Sequence, residues 1–183
     1  MALREIVNYG NPILRKKVDP IKDIDQVNKV IDDMFDSMYE ADGIGLAANQ
    51  VGLDMNLFII DITHTEEAKE PNIFINSEII SKNGQKEIYQ EGCLSLPGIA
   101  LDVLRPENVE LKYQTVDGKW HQEVFSGLLS RAIQHEMDHL NGVFIIDRVS
   151  EVERIKYKKA LDDLEKISKK QIKNQLKKKG FIL

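Results

Sequence analysis

Two histidines four residues apart, with a glutamate beside the first, stand in His135-Glu136-Met137-Asp138-His139-Leu140-Asn141-Gly142. Residues at i and i+4 lie one above the other on a helix, so this octapeptide predicts a helix with both imidazoles on one face. Two such histidines can share a metal ion, and Glu136 can reach a water held between them. The pattern therefore points to metal-assisted hydrolysis. The competing account is a helix that carries these residues by chance. The chain holds only four histidines, and two of them at this spacing around a glutamate make chance a poor explanation.

A helix of this kind needs a core against which to bury its other face. At 183 residues the chain is long enough for one, and a single catalytic domain over residues 1–183 is expected. The first eight residues hold no apolar run of a secretory signal, and no stretch approaches the roughly 18 apolar residues of a membrane span. Cys93 is the single cysteine, so no internal disulfide can form, and a cytoplasmic location is expected.

The net charge of −5 is unevenly spread: from Ser150 onward there are eleven Lys/Arg against five Asp/Glu. Seven lysines and no acid fall between Lys166 and Lys179. Residues 151–183 thus read as a basic C-terminal helix and tail. Two accounts compete for it: a solvated helix with lysines near its C-terminal dipole, or an electrostatic tether to an anionic partner such as nucleic acid. No aromatic is interleaved with the lysines, so base stacking is not indicated.

Periodicity supplies a coarse map. Ile24, Val27, Ile31, Met34 and Met38 mark an amphipathic helix over roughly 24–41, ended by Asp42-Gly43. The segment 43–50, Gly-Ile-Gly-Leu-Ala-Ala-Asn-Gln, reads as a tight loop where backbone must come close to something. Strands are expected at 55–62, 72–80, more weakly 101–104, then 108–114 and 120–125 around an Asp117-Gly118 turn. Ser126 is a plausible N-cap for the histidine helix and Gly142 its end. A last helix over about 151–178 carries an apolar stripe that includes Ile155, Leu161, Leu164, Ile167, Ile172 and Leu176. The expected class is α+β: small mixed or antiparallel sheets around a central metal-binding helix, with a long C-terminal helix.

A catalytic site of this type takes three protein ligands and leaves one position open. A third histidine six residues after His139 is excluded, because position 145 is Ile. A downstream glutamate, Glu153 or Glu165, would make the chain a metallopeptidase; the first is too close and the second sits among lysines. Cys93, in Glu91-Gly92-Cys93-Leu94-Ser95-Leu96-Pro97-Gly98, is the other candidate. A lone cysteine is more often a small core hydrophobe, yet a thiolate is a strong ligand whose pKa the metal itself lowers.

Taken together, the segments 43–50, Glu91-Gly92-Cys93-Leu94-Ser95 and His135–Gly142 resemble, in order and spacing, the three signature motifs of the peptide deformylases. Asn11-Pro12-Ile13-Leu14-Arg15 and Arg105-Pro106 resemble family positions too, and the resemblance covers about residues 1–150. It implies removal of the formyl group from the N-terminal formyl-methionine of new polypeptides, with release of formate. It also implies a metal on Cys93, His135 and His139, usually Fe(II), with Zn, Ni or Co as substitutes. Glu136 would then be the general base, and Gln50 and the backbone N–H of Leu94 the oxyanion donors. Ile44, Gly45 and Gly98 would pair with the substrate backbone. Ile44, Leu94, Leu128 and Ala132 would line the methionine pocket, and Glu91 and Arg105 would steady the cysteine loop. Formyl-methionyl nascent peptides would be the partners, and the ribosome could dock on the lysine-rich helix. A different class remains open: a catalytically degenerate, metal-stabilised ribosome-binding module. Glu136 and Gln50 speak against it, since neither is needed to hold a metal. His64 and His121 lie outside every motif and are expected to face solvent.

Overall fold

The computed structural model describes residues 3–178. Five strands form one antiparallel sheet in chain order: β1 (Gly45–Ala47), β2 (Leu57–Ile60), β3 (Asn72–Gly92), β4 (Ala100–Gln114) and β5 (Trp120–Phe125). Helices α1 (Asp25–Asn28) and α2 (Ile31–Glu40) precede it. Helix α3 (Gly127–Leu140) follows it and packs across β1, β2 and β4, and α4 (Glu151–Lys156) and α5 (Lys158–Lys178) close the described chain. This is the expected α+β class. Among the described residues no helix is long and apolar enough to cross a membrane.

Helix α3 is the keystone. Its Ile133, Met137 and Leu140 are buried against Phe58, Ile60, Phe74 and Leu111 of the sheet. A second apolar cluster, on Leu14, Leu96, Val103 and Phe144, takes in Leu161 and Leu164 of α5. A third joins Met34 and Met38 of α2 to Leu46, Leu57, Ile59 and Ile75. Burial on this scale holds the histidine helix rigidly, because core side chains interdigitate at crystal-like density.

Several expected elements differ in extent. The 24–41 helix is broken at Lys29–Val30 into α1 and α2. The 43–50 segment is not a plain loop: Gly45–Ala47 pairs with β2 as β1, and Ala48–Val51 forms a 3-10 turn. Strand 72–80 runs on to Gly92, and 101–104 and 108–114 are one strand, β4. The added part of β3 is mostly exposed and shows no apolar alternation; its backbone ladder with β4, shifted in register between Asn83 and Lys86, supplies the order instead.

The C-terminal helix breaks at Tyr157. Its docked face is Leu161, Leu164, Ser168 and Gln171 rather than the whole expected stripe, since Ile155 and Ile167 are exposed. Gln171 fastens it to the N-terminal segment, accepting from the Asn8 N–H at 3.1 Å and donating to the Ile6 carbonyl at 3.0 Å. Ser126 stands at the N-cap of α3 without a side-chain capping bond. The cap comes from far away in sequence: Glu67 Oε2 accepts from the Leu128 and Leu129 N–H groups at 2.8 and 3.3 Å. A carboxylate there also suits the positive end of the helix.

Candidate metal and catalytic site

One turn of α3 carries His135 and His139, and their Nε2 atoms face each other at 3.2 Å. Cys93, in the loop that follows β3, brings its Sγ to 3.2 Å from His139 Nε2. The three ligand atoms lie within 4.8 Å of one another. His135 Nδ1 stands 3.0 Å from Glu91 Oε2, a contact that puts the proton on Nδ1 and turns the Nε2 lone pair inward. Two imidazole nitrogens and a thiol sulfur converging on one point are a donor set that suits a divalent transition metal with an open position. The residues present fit such an ion. Without one, burial would lower His135, but bonding to Cys93 and Glu91 outweighs it and raises its pKa. Burial and the neighbouring His135 lower that of His139.

Glu136 is 4% exposed. Burial pushes its pKa up from 4.5 to about 7, against the opposing pull of His135 and Arg105. Its Oε2 has no hydrogen-bond partner among the described residues. Gly45 explains how it fits: a Cβ there would stand 2.5 Å from Glu136 Oε1. The glycine of the 43–50 motif therefore makes room for the carboxylate of the third motif. A carboxyl near neutrality, within the cleft and with Oε2 left without a partner, can accept and return a proton.

Gln50 is fully buried in the 3-10 turn. Its Oε1 accepts from the Ala47 N–H at 2.8 Å, which leaves the amide nitrogen aimed at the site, 3.3 Å from Ser95 Oγ and 3.8 Å from Cys93 Sγ. The Leu94 N–H, next to Cys93, has no protein acceptor among the described residues. The Gln50 amide nitrogen thus faces the thiol, and the neighbouring Leu94 N–H is left free of a protein acceptor.

Behind the ligands lies a buried charge network. Arg105, 2% exposed, donates from Nε and one terminal nitrogen to both Glu91 oxygens at 2.7 and 2.9 Å, and from the other to Asp138 Oδ2 at 2.8 Å. Arg131 adds a third arginine bond to Glu91 at 2.7 Å, and Arg148 pairs with Asp138. Burial would raise Glu91, but His135 and Arg105 bring its pKa down to about 2. Glu91 therefore stays ionised and holds His135 in one tautomer.

Of these partners, Asp138, Arg131 and Arg148 escaped the sequence reading, as did Asn49, whose amide donates to the His139 carbonyl at 2.6 Å. Arg131 was within reach, since it precedes His135 by four residues on the same helix. Asn49 lies in the 43–50 segment, but nothing local gives it this role, and nothing local marks Arg148.

The site opens into a cavity of about 790 Å³. Ile44, Gly45, Leu94, Gly98, Leu128 and Ala132 all line it, together with Gln50, Glu91, Cys93, His135 and Glu136. Arg105 and His139 stand behind its wall. Glu165 lies against Gly10 on α5 and Glu153 pairs with Lys156, so neither joins the cluster. His64 is exposed, as expected. His121 is not fully so: it stacks on Tyr113 at 5.6 Å, half-buried.

The family model for polypeptide deformylases matches residues 3–155. A peptide deformylase of Acidobacterium capsulatum is 44% identical over 155 residues, which cover 84% of this chain and 91% of that one. One from Novosphingobium aromaticivorans is 40% identical over 189 residues, with 92% and 99% covered. Among solved structures, peptide deformylase from Plasmodium falciparum is similar at a TM-score of 0.83 and 36% identity, with 90% of this chain and 97% of that one covered. The enzyme from Synechococcus elongatus, solved in complex with actinonin, is similar at 0.77 and 41%, with 98% and 89% covered.

Proposed function

Since the chain belongs to the polypeptide deformylase family, we propose that its chemistry is carried by Cys93, His135 and His139 as metal ligands, Glu136 as proton carrier, and Gln50 with the Leu94 N–H as oxyanion donors. The reaction is metal-dependent hydrolysis of the N-terminal formyl-methionine of nascent polypeptides, releasing formate. The metallopeptidase and degenerate-module readings are not favoured. The observation that supports the role assignment is the convergence of all three motifs on one cleft.

A bound divalent metal supplies Lewis acidity and makes a water nucleophilic near neutral pH. Glu136 takes a proton from that water and returns it to the departing amine, so the peptide leaves neutral. Charge that builds on the formyl oxygen is met by the Gln50 amide and the Leu94 N–H. Ile44, Leu94, Leu128 and Ala132 give the methionine side chain an apolar slot, and the edges at Ile44, Gly45 and Gly98 pair with the substrate backbone as an added strand. Arg105 and Glu91 hold His135 in place through the hydrogen bonds described above.

The resident metal we propose is Fe(II), which one thiolate and two imidazoles accept; Zn, Ni and Co suit the same donors. Protein purified without air is expected to release formate from formyl-Met peptides, to contain iron by elemental analysis, and to lose activity in air. A cobalt-substituted form is expected to show a thiolate charge-transfer band that Cys93→Ala removes. A cobalt protein with no such band and a freely alkylated Cys93 would overturn the ligand assignment.

Gln50→Ala is expected to lower kcat by about 10²–10³-fold, as for loss of one oxyanion donor. That variant also strips the Ala47 N–H of its acceptor. Gln50→Glu keeps the acceptor and removes the donor, so an equal loss of kcat with unchanged metal content isolates the catalytic part.

We further propose that the protein works in the cytoplasm and that the exposed lysines of α5 draw it to ribosomal RNA phosphate. Removing everything after Leu164 would also remove the docked Ser168 and Gln171. Charge reversal of the exposed Lys166, Lys169, Lys170 and Lys173 is the cleaner test. It is expected to abolish a steeply salt-dependent ribosome cosedimentation while leaving peptide turnover and thermal stability unchanged. Salt-insensitive or unchanged cosedimentation would leave the lysines as a solvated face.

A further inference from the structure

The cleft does not end where its methionine slot ends. Gln90 and Ala100, near the paired ends of β3 and β4, line it and also line a second groove of about 580 Å³. That groove lies between one face of the β3–β4 hairpin and α4, and Ile88, Leu104, Val149 and Tyr157 supply its apolar lining. The register sets Ile88 opposite Leu104, so the two side chains stand side by side on one face. They are 65% and 50% exposed. The Tyr157 hydroxyl donates to the Ala100 carbonyl at 3.1 Å and ties the far wall to the rim shared with the cleft.

The charges around the groove are largely spent on each other. Lys156 bonds to Glu153 at 2.5 Å, and Arg148 is held by Asp138. Asp102 stands at the rim opposite Gln90. Within this largely polar groove Ile88 and Leu104 therefore offer an apolar patch to a neutral chain, and Asp102 disfavours an acidic one.

We propose that this groove receives the segment of the nascent polypeptide downstream of its formyl-methionine, as a continuation of the substrate cleft. The proposal rests on the hydrolase reading above and adds a site to it. Extended chain advances about 3.3 Å per residue, and Ala100 and Leu104 are four strand positions apart, so the groove takes about four residues beyond those in the cleft.

The test is a series of neutral formyl-Met peptides of three to ten residues, with leucine at the positions past the fourth. In the wild-type enzyme kcat/KM is expected to rise about three- to tenfold up to seven or eight residues and then level off, through KM with kcat unchanged. Ile88→Asp and Leu104→Asp, both at exposed positions, are each expected to flatten that rise while leaving tripeptide kinetics as they were. Aspartate in place of the peptide's leucines is expected to flatten it in the wild type. A flat wild-type series, or a rise that survives both variants, overturns the proposal. A concentration-dependent dimer lost in both variants, with no effect of peptide length, assigns the face to a second copy of the chain and overturns it as well. Failure to hydrolyse the tripeptide would strike the underlying hydrolase reading instead.

Discussion

Glu136→Gln is expected to abolish turnover while metal content stays at the wild-type level. Glutamine has nearly the same shape, so the space opened by Gly45 stays filled and α3 keeps its packing. Neither Nε2 nor Sγ of the three ligands depends on Glu136 for a hydrogen bond. What disappears is the group able to take a proton inside the cleft. A general base is typically worth roughly 10²–10⁴ in rate, and here the loss should exceed that, because the other carboxylate on the cleft, Glu91, is kept ionised by Arg105 and Arg131 and is bound to His135, which makes it a poor proton relay. Formate release in single-turnover mode, with metal measured on the same sample, checks it. Wild-type formate release by a metal-replete variant would remove Glu136 from the reaction.

The same substitution has a stability signature in metal-free protein. The folded pKa of about 7 lies above the ordinary 4.5. Between these values the folded state holds a proton that the unfolded state has lost, so the contribution of Glu136 to stability falls as pH rises from about 4.5 to 7 and is flat beyond. The glutamine variant does not titrate and should lose less stability across that window, a difference on the order of a few kcal/mol. Chemical denaturation at pH 5 and pH 8 reads it directly.

Arg105→Ala is expected to be the most damaging change that touches neither ligand nor cleft. It removes two of the bonds on Glu91 and one on Asp138, all buried. Breaking a buried charge pair by deleting one partner typically costs about 3–5 kcal/mol, because the remaining charge is left poorly compensated. Arg131 and Arg148 still serve Glu91 and Asp138, which places the expected loss at the lower end of that range.

Glu91 contributes stability above its ordinary pKa of 4.5, and that contribution is lost as pH falls toward its folded value of about 2. Without Arg105 the folded value moves up, and acid unfolding should begin at higher pH. His135 should also lose its fixed tautomer, so metal dissociation should quicken. Unchanged metal release and unchanged acid stability would leave Arg105 outside the site.

The sequence by itself pointed to the chemistry. Spacing placed His135, Glu136 and His139 on one helix because the 3.6-residue period is local, whereas Cys93 as the third donor came from the resemblance of the three motifs to a family, since a lone cysteine is by itself more often a small core hydrophobe. Helix, strand and turn signals around them were local too, which is why β5 was legible to the residue and its turn, centred on Val116 and Asp117, to within one position. The limits of longer elements were not, because pairing and docking partners set them. β3 runs through a polar stretch that β4 orders, and α5 buries Ser168 and bonds Gln171 to the N-terminal segment while leaving Ile167 in water.

Only the tertiary structure decided how the site is held. The cap of α3 comes from Glu67, His135 is oriented by a carboxylate that three arginine bonds keep ionised, and Gly45 is required by a side chain ninety-one positions away. Periodicity reports which face of an element is apolar. It carries no record of which distant charge or backbone group will meet that element once the chain has closed, and those meetings set the tautomer of His135 and the pKa values of Glu91 and Glu136.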